Sequence, residues 1–316
     1  MLAGTAYKPS RINPTLRLMR RYWIFYLLYL PIAVYYVLFH YIPLTGIVMA
    51  FKDYQFNLGI MGSPWASEHG FHHFIRFLTN GEFQRVFSNT LILSFMQILL
   101  GFPAPIIMAL LLNEMRGIRY KRILQTISYL PHFVSFVVVY AILYNFFSLN
   151  GFVNAIRVQL GLERLLFLGN KSLYKWLYTL SNIWKGVGWG SIIYLAALSR
   201  VNMELYEAAD IDGASRWKKM WHITLPGIRP LISLQFVMTM GGLFRVGMTQ
   251  TLVMINDMVA PVAETVGYFV YRTGLLTINQ YSYASAIGLF NSVLGFIMVV
   301  LTNTVAKKID EDGGVW

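Results

Sequence analysis

Cysteine is absent from the 316 residues, which excludes disulfides, thiolate metal sites and thiol nucleophiles and leaves the compartment unread. Charge is scarce. Asp, Glu, Lys and Arg make up 13% of the chain, well under the ~25% of a soluble domain. Hydrophobic residues reach 56% and mean hydropathy is +0.52. This is the composition of a membrane protein built as one helical bundle, where length alone would have allowed two soluble domains.

Catalytic signatures are missing too. A nucleotide-hydrolysing P-loop needs G-x-x-x-x-G-K-[ST], whose backbone amides cradle phosphate; "GNKS" at Gly169 lacks the first glycine. HExxH and GxSxG do not occur either. The chain is expected to be no enzyme and to carry no cofactor of its own. Nor do acids lie in the apolar runs: all fourteen Asp and Glu fall in loops or tails. Ion-coupled carriers usually need a buried carboxylate or His for the coupling ion, so an ion-coupled carrier is disfavoured and a passive channel is a distant alternative.

What is present is six apolar runs near the ~20 residues needed to span: Tyr22–Ile42, Val86–Leu112, Ile123–Phe147, Trp176–Leu198, Pro230–Ile255 and Ala284–Ala306. The first has no cleavage-site pattern after it and reads as retained helix. The layout is a basic segment 1–21, a six-span domain 22–306 with a charged connection at about 200–229, and a tail 307–316. The net charge of +12 is not gathered into a nucleic-acid stripe. Sixteen of the bases lie in the N-terminal segment, the second and fourth connections and the tail, against eight on the other side. Both termini and the 200–229 loop are therefore expected in the cytoplasm.

Two runs contain a base. In the fourth, Asn182, Lys185 and Trp189 recur at helical spacing; in the fifth, Gln235, Met238, Gly242, Arg245 and Thr249 do. Asn and Thr in such places also serve as hydrogen-bonding glue between helices. A base at depth needs water or a partner, and no acid in a span is available. These residues are the candidate lining of a polar path, with Trp189 offering an aromatic face and the positive potential favouring acidic cargo. In the sixth run Ser285, Gly288, Ser292 and Gly295 form a small face that reads as helix packing. Pro103, Pro105 and Pro131 are expected to bend their helices. His132 has no second ligand at metal spacing and reads as a bundle residue.

The stretch "YEAADIDGASRWKKMWHITLPGI", Tyr206–Ile228, is the anomaly. Asn202 can cap a short helix whose first turns are acidic. Gly213 can end it with a positive φ, and Ser215 can cap a second short helix with Trp217, Met220 and Trp221 as its apolar contacts. Pro226 marks the turn into the fifth run. The result is a polar helical hairpin fit to dock a protein; an ordinary solvated loop is the bland alternative.

The spacing of Glu207, Ala208, Ala209, Gly213, Ile223, Leu225 and Pro226 resembles the EAA…G…I-LP loop of ABC-importer permeases. "YLPHFVS", "GWGSIIYLAAL" and "YSYASAIGLFNSV" are similar to the carbohydrate class of binding-protein-dependent importers, within it the subgroup handling oligosaccharides such as alginate or pectin fragments. The resemblance covers the chain from the second run to the tail. It implies an all-α, six-helix type I importer transmembrane domain importing oligosaccharide. It implies a second permease subunit, two ATPase subunits carrying ATP and magnesium, and an extracytoplasmic solute-binding protein. Those seven residues would then couple the bundle to the ATPase, with Glu207 as polar contact, the two alanines as close approach and Gly213 as turn. Within the family, another polar solute or a peptide is the alternative cargo.

Overall fold

The computed structural model describes residues 18–309 and Gly314, with Arg20, Val246 and Asn279 excepted. Most of the basic segment 1–21 and the tail acids Asp310, Glu311 and Asp312 lie outside the described residues. Regular structure among the described residues is helical, apart from one isolated antiparallel bridge between Lys52 and Trp65.

The first helix, α1 (Trp23–Phe51), has 0% of its apolar window buried, as suits a helix whose surroundings are lipid or another chain. After a folded connection carrying α2 (His72–Thr79) come α3 (Gly81–Glu114), α4 (Ile118–Phe133), α5 (Phe136–Phe147) and α6 (Phe152–Gln159). The long α7 (Lys171–Leu198) leads to α8 (Met203–Ile211) and α9 (Arg216–Gly227). Then follow α10 (Arg229–Gly241), α11 (Met248–Met254), α12 (Ala260–Ala263), α13 (Val266–Tyr271) and α14 (Tyr281–Ile309). Side-chain caps start several of them. Asn80 accepts from the Glu82 amide at 3.1 Å and Asn170 from those of Ser172 and Leu173 at 2.9 and 3.2 Å, satisfying amides that have no intrahelical partner.

Among the described residues, four helical stretches are long and apolar enough to cross a membrane: Trp23–Phe51, Gly81–Glu114, Phe136–Gln159 and Tyr281–Lys308. The bent pair α9 and α10, which meet at 61°, passes the same test only when the two are taken together. The expected fourth run corresponds to α7, which is 28 residues long; Lys171, Lys175 and Lys185 dilute its apolarity. Two expected runs are not continuous helices. The third is divided where α4 stops at Phe133 and Ser135 caps α5 through the Val138 amide at 3.4 Å. The fifth is interrupted between Gly241 and Met248.

Proline shapes the helices in an unexpected way. Three five-residue π-helical turns, Val37–Tyr41, Gln97–Gly101 and Met220–Thr224, each end two residues before a proline: Pro43, Pro103 and Pro226. A proline ring clashes with the carbonyl four residues back and leaves it without a donor; widening that turn moves the carbonyl aside. The expected bend at "GFPAP" is thereby absorbed within one 34-residue helix.

Three buried clusters are strung along α3. Near its start, Phe77, Val86, Val266, Phe269, Tyr283 and Ile287 pack together. Mid-bundle, Leu93 meets Tyr174, Tyr178 and Met254. Toward its end, Ile106 and Ala109 meet Tyr194, Leu198 and Ile228. The first level is locked by charge: Glu264, 4% exposed, takes Arg85 at 2.7 Å and Arg272 at 2.8 Å, and Glu82 lies 3.5 Å from Arg272. The expected small face of α14 is only partly a packing face. A side chain at Gly295 would meet the Gly241 carbonyl at 3.2 Å, whereas one at Gly288 meets nothing within 4 Å.

The connection after α1 forms a small cap. Lys52 donates to the carbonyls of Ile60 and Met61 at 3.1 and 2.7 Å, and its ammonium lies 5.4 Å from the Trp65 ring centre. The His73 Nε2 sits 3.2 Å from the Lys52 carbonyl and 3.0 Å from the Asp53 carboxylate. Burial holds this imidazole below its ordinary 6.5; the Asp53 charge and the Lys52 carbonyl pull upward without overcoming it. The unfolded cap therefore takes up a proton at a pH where the folded one does not, so cap stability is complete above 6.5 and falls as pH drops below it. Hydrogen exchange over residues 52–79, corrected for intrinsic rates, should show more frequent opening at about pH 5.5 than at about pH 7.5. His73→Gln should abolish that difference; an unchanged pH response would remove His73 as its source.

Candidate functional site: a polar cavity and a charged hairpin

Mid-bundle, a cavity of about 460 Å³ opens between α3, α7 and α10, with Gln97, Asn182, Gln235, Met238 and Thr239 in its wall. A second lobe of about 200 Å³ shares Gln97, Asn182 and Thr239 and adds Arg245. Among the described residues no carboxylate lines either lobe. Together they fall within the usual size of small-molecule sites.

The wall is held by buried amides. Asn182 donates to Gln250 Oε1 at 2.9 Å, and Gln250 Nε2 donates to the Tyr178 carbonyl at 2.7 Å and to Ser181 Oγ at 3.1 Å. Tyr178 donates from its hydroxyl to the Gly247 carbonyl at 3.1 Å and lies 3.2 Å from Thr251 Oγ1. Gln250 is fully buried, so its hydrogen bonds fix the path of the chain between α10 and α11. By contrast, Gln97 Nε2 is buried without a partner among the described residues, and Gln97 opens the π turn of α3. A buried unmatched donor at a cavity wall is suited to a hydroxyl or carboxylate entering the cavity.

Neither Gln97 nor Gln250 stood out in the sequence. Both are single amides in apolar runs. The signal for Gln250 was the pair Gly241–Gly242 followed by Gly247, which marks the interruption that Gln250 stabilises.

The expected path residues are dispersed. Gln235 and Met238 on α10 and Asn182 on α7 do line the larger lobe. Gly242 and Arg245 line the smaller one from the turn after α10, so they share no helical face with Gln235, and depth counted along a continuous helix does not apply. Thr249 is exposed on α11 and lines neither lobe. Arg245 is exposed, and its guanidinium has no partner among the described residues.

Lys185 and Trp189 point elsewhere. The Lys185 ammonium donates to the carbonyls of Pro131 and His132 and lies 5.4 Å from the Phe136 ring centre. Trp189 stacks on His132 at 4.7 Å and 6°, with Phe133 edge-on at 5.5 Å. Of the two provisions expected for a base at depth, water or a partner, the Lys185 ammonium has the second. Carbonyls at the end of a helix carry partial negative charge and take the place of the missing carboxylate.

The hairpin forms as its residues dictate. Asn202 caps α8 through the Glu204 amide at 3.0 Å. Gly213 has φ +68°; its amide bonds the Asp210 carbonyl at 3.1 Å, and the Ala214 amide bonds the Ala209 carbonyl at 2.9 Å. That pair of bonds is the Schellman ending. Glu207 and Ala208 are exposed and Ala209 half-buried. Ile211, 87% exposed, projects near the tip. The second arm is not a separate short helix: capped by Ser215, it runs on as α9 through Ile223, Leu225 and Pro226, and the turn into α10 falls at Ile228.

Residues 86–311 match the family described as "Binding-protein-dependent transport system inner membrane component". The chain is 42% identical over 297 residues to Protein LplB of Bacillus subtilis (strain 168), covering 94% of this chain and 92% of that one. It is 40% identical over 307 residues to the polygalacturonan/rhamnogalacturonan transport system permease protein YteP of the same organism, covering 97% and 94%. It superposes with a TM-score of 0.87 and 36% identity on a chain from the crystal structure of a bacterial ABC transporter involved in the import of the acidic polysaccharide alginate, covering 94% of this chain and all of that one. A second structure, with TM-score 0.84 and 36% identity, is the bacterial alginate ABC transporter in complex with a periplasmic protein bound to alginate pentasaccharide. The chain belongs to the family of inner membrane components of binding-protein-dependent transport systems. Its fold is the all-α type I permease fold expected from the loop.

Proposed function

We propose that this chain is one permease subunit of an ATP-driven importer whose cargo is an acidic oligosaccharide. The observation that carries the cargo class is the cavity. Amides and Arg245 reach it, and among the described residues Gln97 Nε2 is unmatched and no carboxylate lines it. Similarity to proteins named for polygalacturonan and alginate transport supports the same reading. Among the described residues Arg245 is the one charged side chain that lines the cavity, Lys185 being turned to carbonyls outside its wall. A uronate carboxylate would pair with Arg245, while ring hydroxyls would meet Gln97, Asn182, Gln235 and Thr239.

The partners are a second permease subunit completing the path, a solute-binding protein delivering cargo, and two ATPase subunits that bind ATP and magnesium. Residues 22–306 form the membrane domain. The hairpin at 200–229 and both termini face the cytoplasm, following the bias of bases. The exposed face of α8, with Glu207 and Ala208, docks on an ATPase subunit, Ala209 lets it approach closely, and Gly213 sets its angle. Ile223, Leu225 and Pro226 carry the displacement toward α10.

Substrate-stimulated ATP hydrolysis by the reconstituted complex tests the cargo. Uronate oligomers should stimulate wild type far more than neutral oligomers, and Arg245→Gln should reduce the uronate response about tenfold, the worth of one charge-assisted pair. Equal stimulation by neutral sugars, or an untouched uronate response in Arg245→Gln, would end the acidic-cargo reading.

A further inference from the structure

Asp210 stands in the last turn of α8, where the helix dipole disfavours an acid. What offsets this comes from the other arm of the hairpin. Lys219 Nζ donates to Asp210 Oδ1 at 2.6 Å, with the lysine side chain 18% exposed. One turn earlier on α8, the Tyr206 hydroxyl lies 2.9 Å from Thr224 Oγ1, and Thr224 is 1% exposed. Tyr206 and Asp210 are four residues apart, so they share a face. The two contacts are thus successive rungs between antiparallel arms. The remaining exposed residues of α8, Met203, Glu204, Leu205, Glu207, Ala208 and Ile211, are left to a partner.

The second arm reaches the cavity. At the end of α9 a side chain on Gly227 would lie 2.9 Å from Val201, so the arm presses on the connection after α7. Ile228, 1% exposed, is embedded among Ile106, Ala109, Tyr194 and Leu198. Here the chain bends by 61° into α10, which carries Gln235, Met238 and Thr239 into the cavity wall. An arm, a fixed pivot and a second arm ending at the cargo site make a lever, provided that the hairpin does not flex.

We propose that Asp210–Lys219 and Tyr206–Thr224 are positioning residues that hold α8 and α9 as one rigid body, so that movement of α8 is delivered to the cavity wall instead of being lost in the hairpin. This role rests on the permease function proposed above. An exposed ion pair contributes little to stability; what the two rungs supply is a fixed angle. They lie outside the residues that define the loop by its spacing, and removing them leaves the docking face of α8 intact.

The test has two readouts. Cysteines introduced at Met203 and His222, in a chain that has none of its own, carry spin labels on the two arms. The label–label distance distribution should be narrow in wild type and broad in Lys219→Met combined with Tyr206→Phe. In the reconstituted complex, that double variant should keep its ATPase subunits and its stimulated ATP hydrolysis. It should move about tenfold less cargo per ATP, the scale of coupling between interacting residues. The exchange of Asp210→Lys with Lys219→Asp, with Tyr206 retained, should restore cargo per ATP. An unbroadened distribution, wild-type cargo per ATP in the double variant, or failure of the exchange overturns the proposal. So does loss of ATPase subunits, which would make these residues part of the docking surface. A wild-type complex without ATP-dependent uptake would refute the importer function, and the label distances would still judge the rungs.

Discussion

Gly213→Val should collapse uptake while the protein still reaches the membrane. Gly213 has φ +68°, and a Cβ there would meet nothing within 4 Å, so crowding is not the cause. The strain lies in the backbone: a side chain in the left-handed region costs roughly 1–2 kcal/mol, and more for a β-branched one. Relieving it breaks the bonds from the Gly213 and Ala214 amides to the Asp210 and Ala209 carbonyls, and α8 then leaves α9 at another angle. Uptake in proteoliposomes should fall by about tenfold or more, since each ~1.4 kcal/mol of misplacement is a factor of ten. Gly213→Asn is the control, because Asn tolerates positive φ and the site has room; it should retain most activity. Full transport by Gly213→Val, or equal loss in both variants, would contradict a role set by backbone conformation.

The hairpin was legible because its instructions are local. Asn202, Ser215 and Gly213 act on amides and carbonyls within a few residues of themselves, and caps of that kind are written in sequence order. The family resemblance rested on the same hairpin, through the spacing from Glu207 to Pro226, and was upheld by the match over 86–311. The cavity was less legible because helical spacing assumes an unbroken helix. Once α10 stops at Gly241, the positions of Arg245 and Thr249 follow from turn geometry and from Gln250, whose partners Tyr178 and Ser181 lie 72 and 69 residues away. On the unbroken α7, Asn182 and Trp189 do share an angular position. They lie about 10 Å apart along the axis, far enough for their neighbours to change from Gln250 to His132. The acceptors of Lys185 were hidden for a related reason. Sequence shows which carboxylates are missing, but not that a helix will end beside the ammonium with its carbonyls unfilled. The clasp of Glu264 by Arg85 and Arg272 was equally hidden, being 179 and 8 residues apart in the chain.

Gly188→Ala should destabilise the bundle more than any other single methyl added to α7. An ideal Cβ at Gly188 would stand 2.1 Å from the Ser128 carbonyl oxygen and 2.4 Å from its carbon. The obstacle is backbone, so no rotamer change makes room and the two helices must part by an ångström or more. Overpacking of this kind costs about 1–3 kcal/mol where side chains can yield, and more is expected where they cannot. The damage extends further because α4 is held to α7 by neighbouring contacts. Lys185 reaches the Pro131 and His132 carbonyls, and Trp189 stacks on His132. Separating the helices uncouples both, leaving an ammonium without its acceptors inside the bundle. Thermal unfolding of the purified complex should shift strongly downward, and uptake should be lost with it. Gly186→Ala, two residues earlier on the same helix, supplies the contrast. Its Cβ meets nothing within 4 Å, and exchanging a mid-helix Gly for Ala favours the helix by roughly 0.5–1 kcal/mol. Its unfolding temperature should hold or rise. Gly186 also lines the larger lobe, so any defect in Gly186→Ala should appear as weaker stimulation by cargo in a stable complex. If Gly188→Ala instead unfolds like wild type, α4 and α7 are not in the contact described, and the carbonyl partners assigned to Lys185 fall with it.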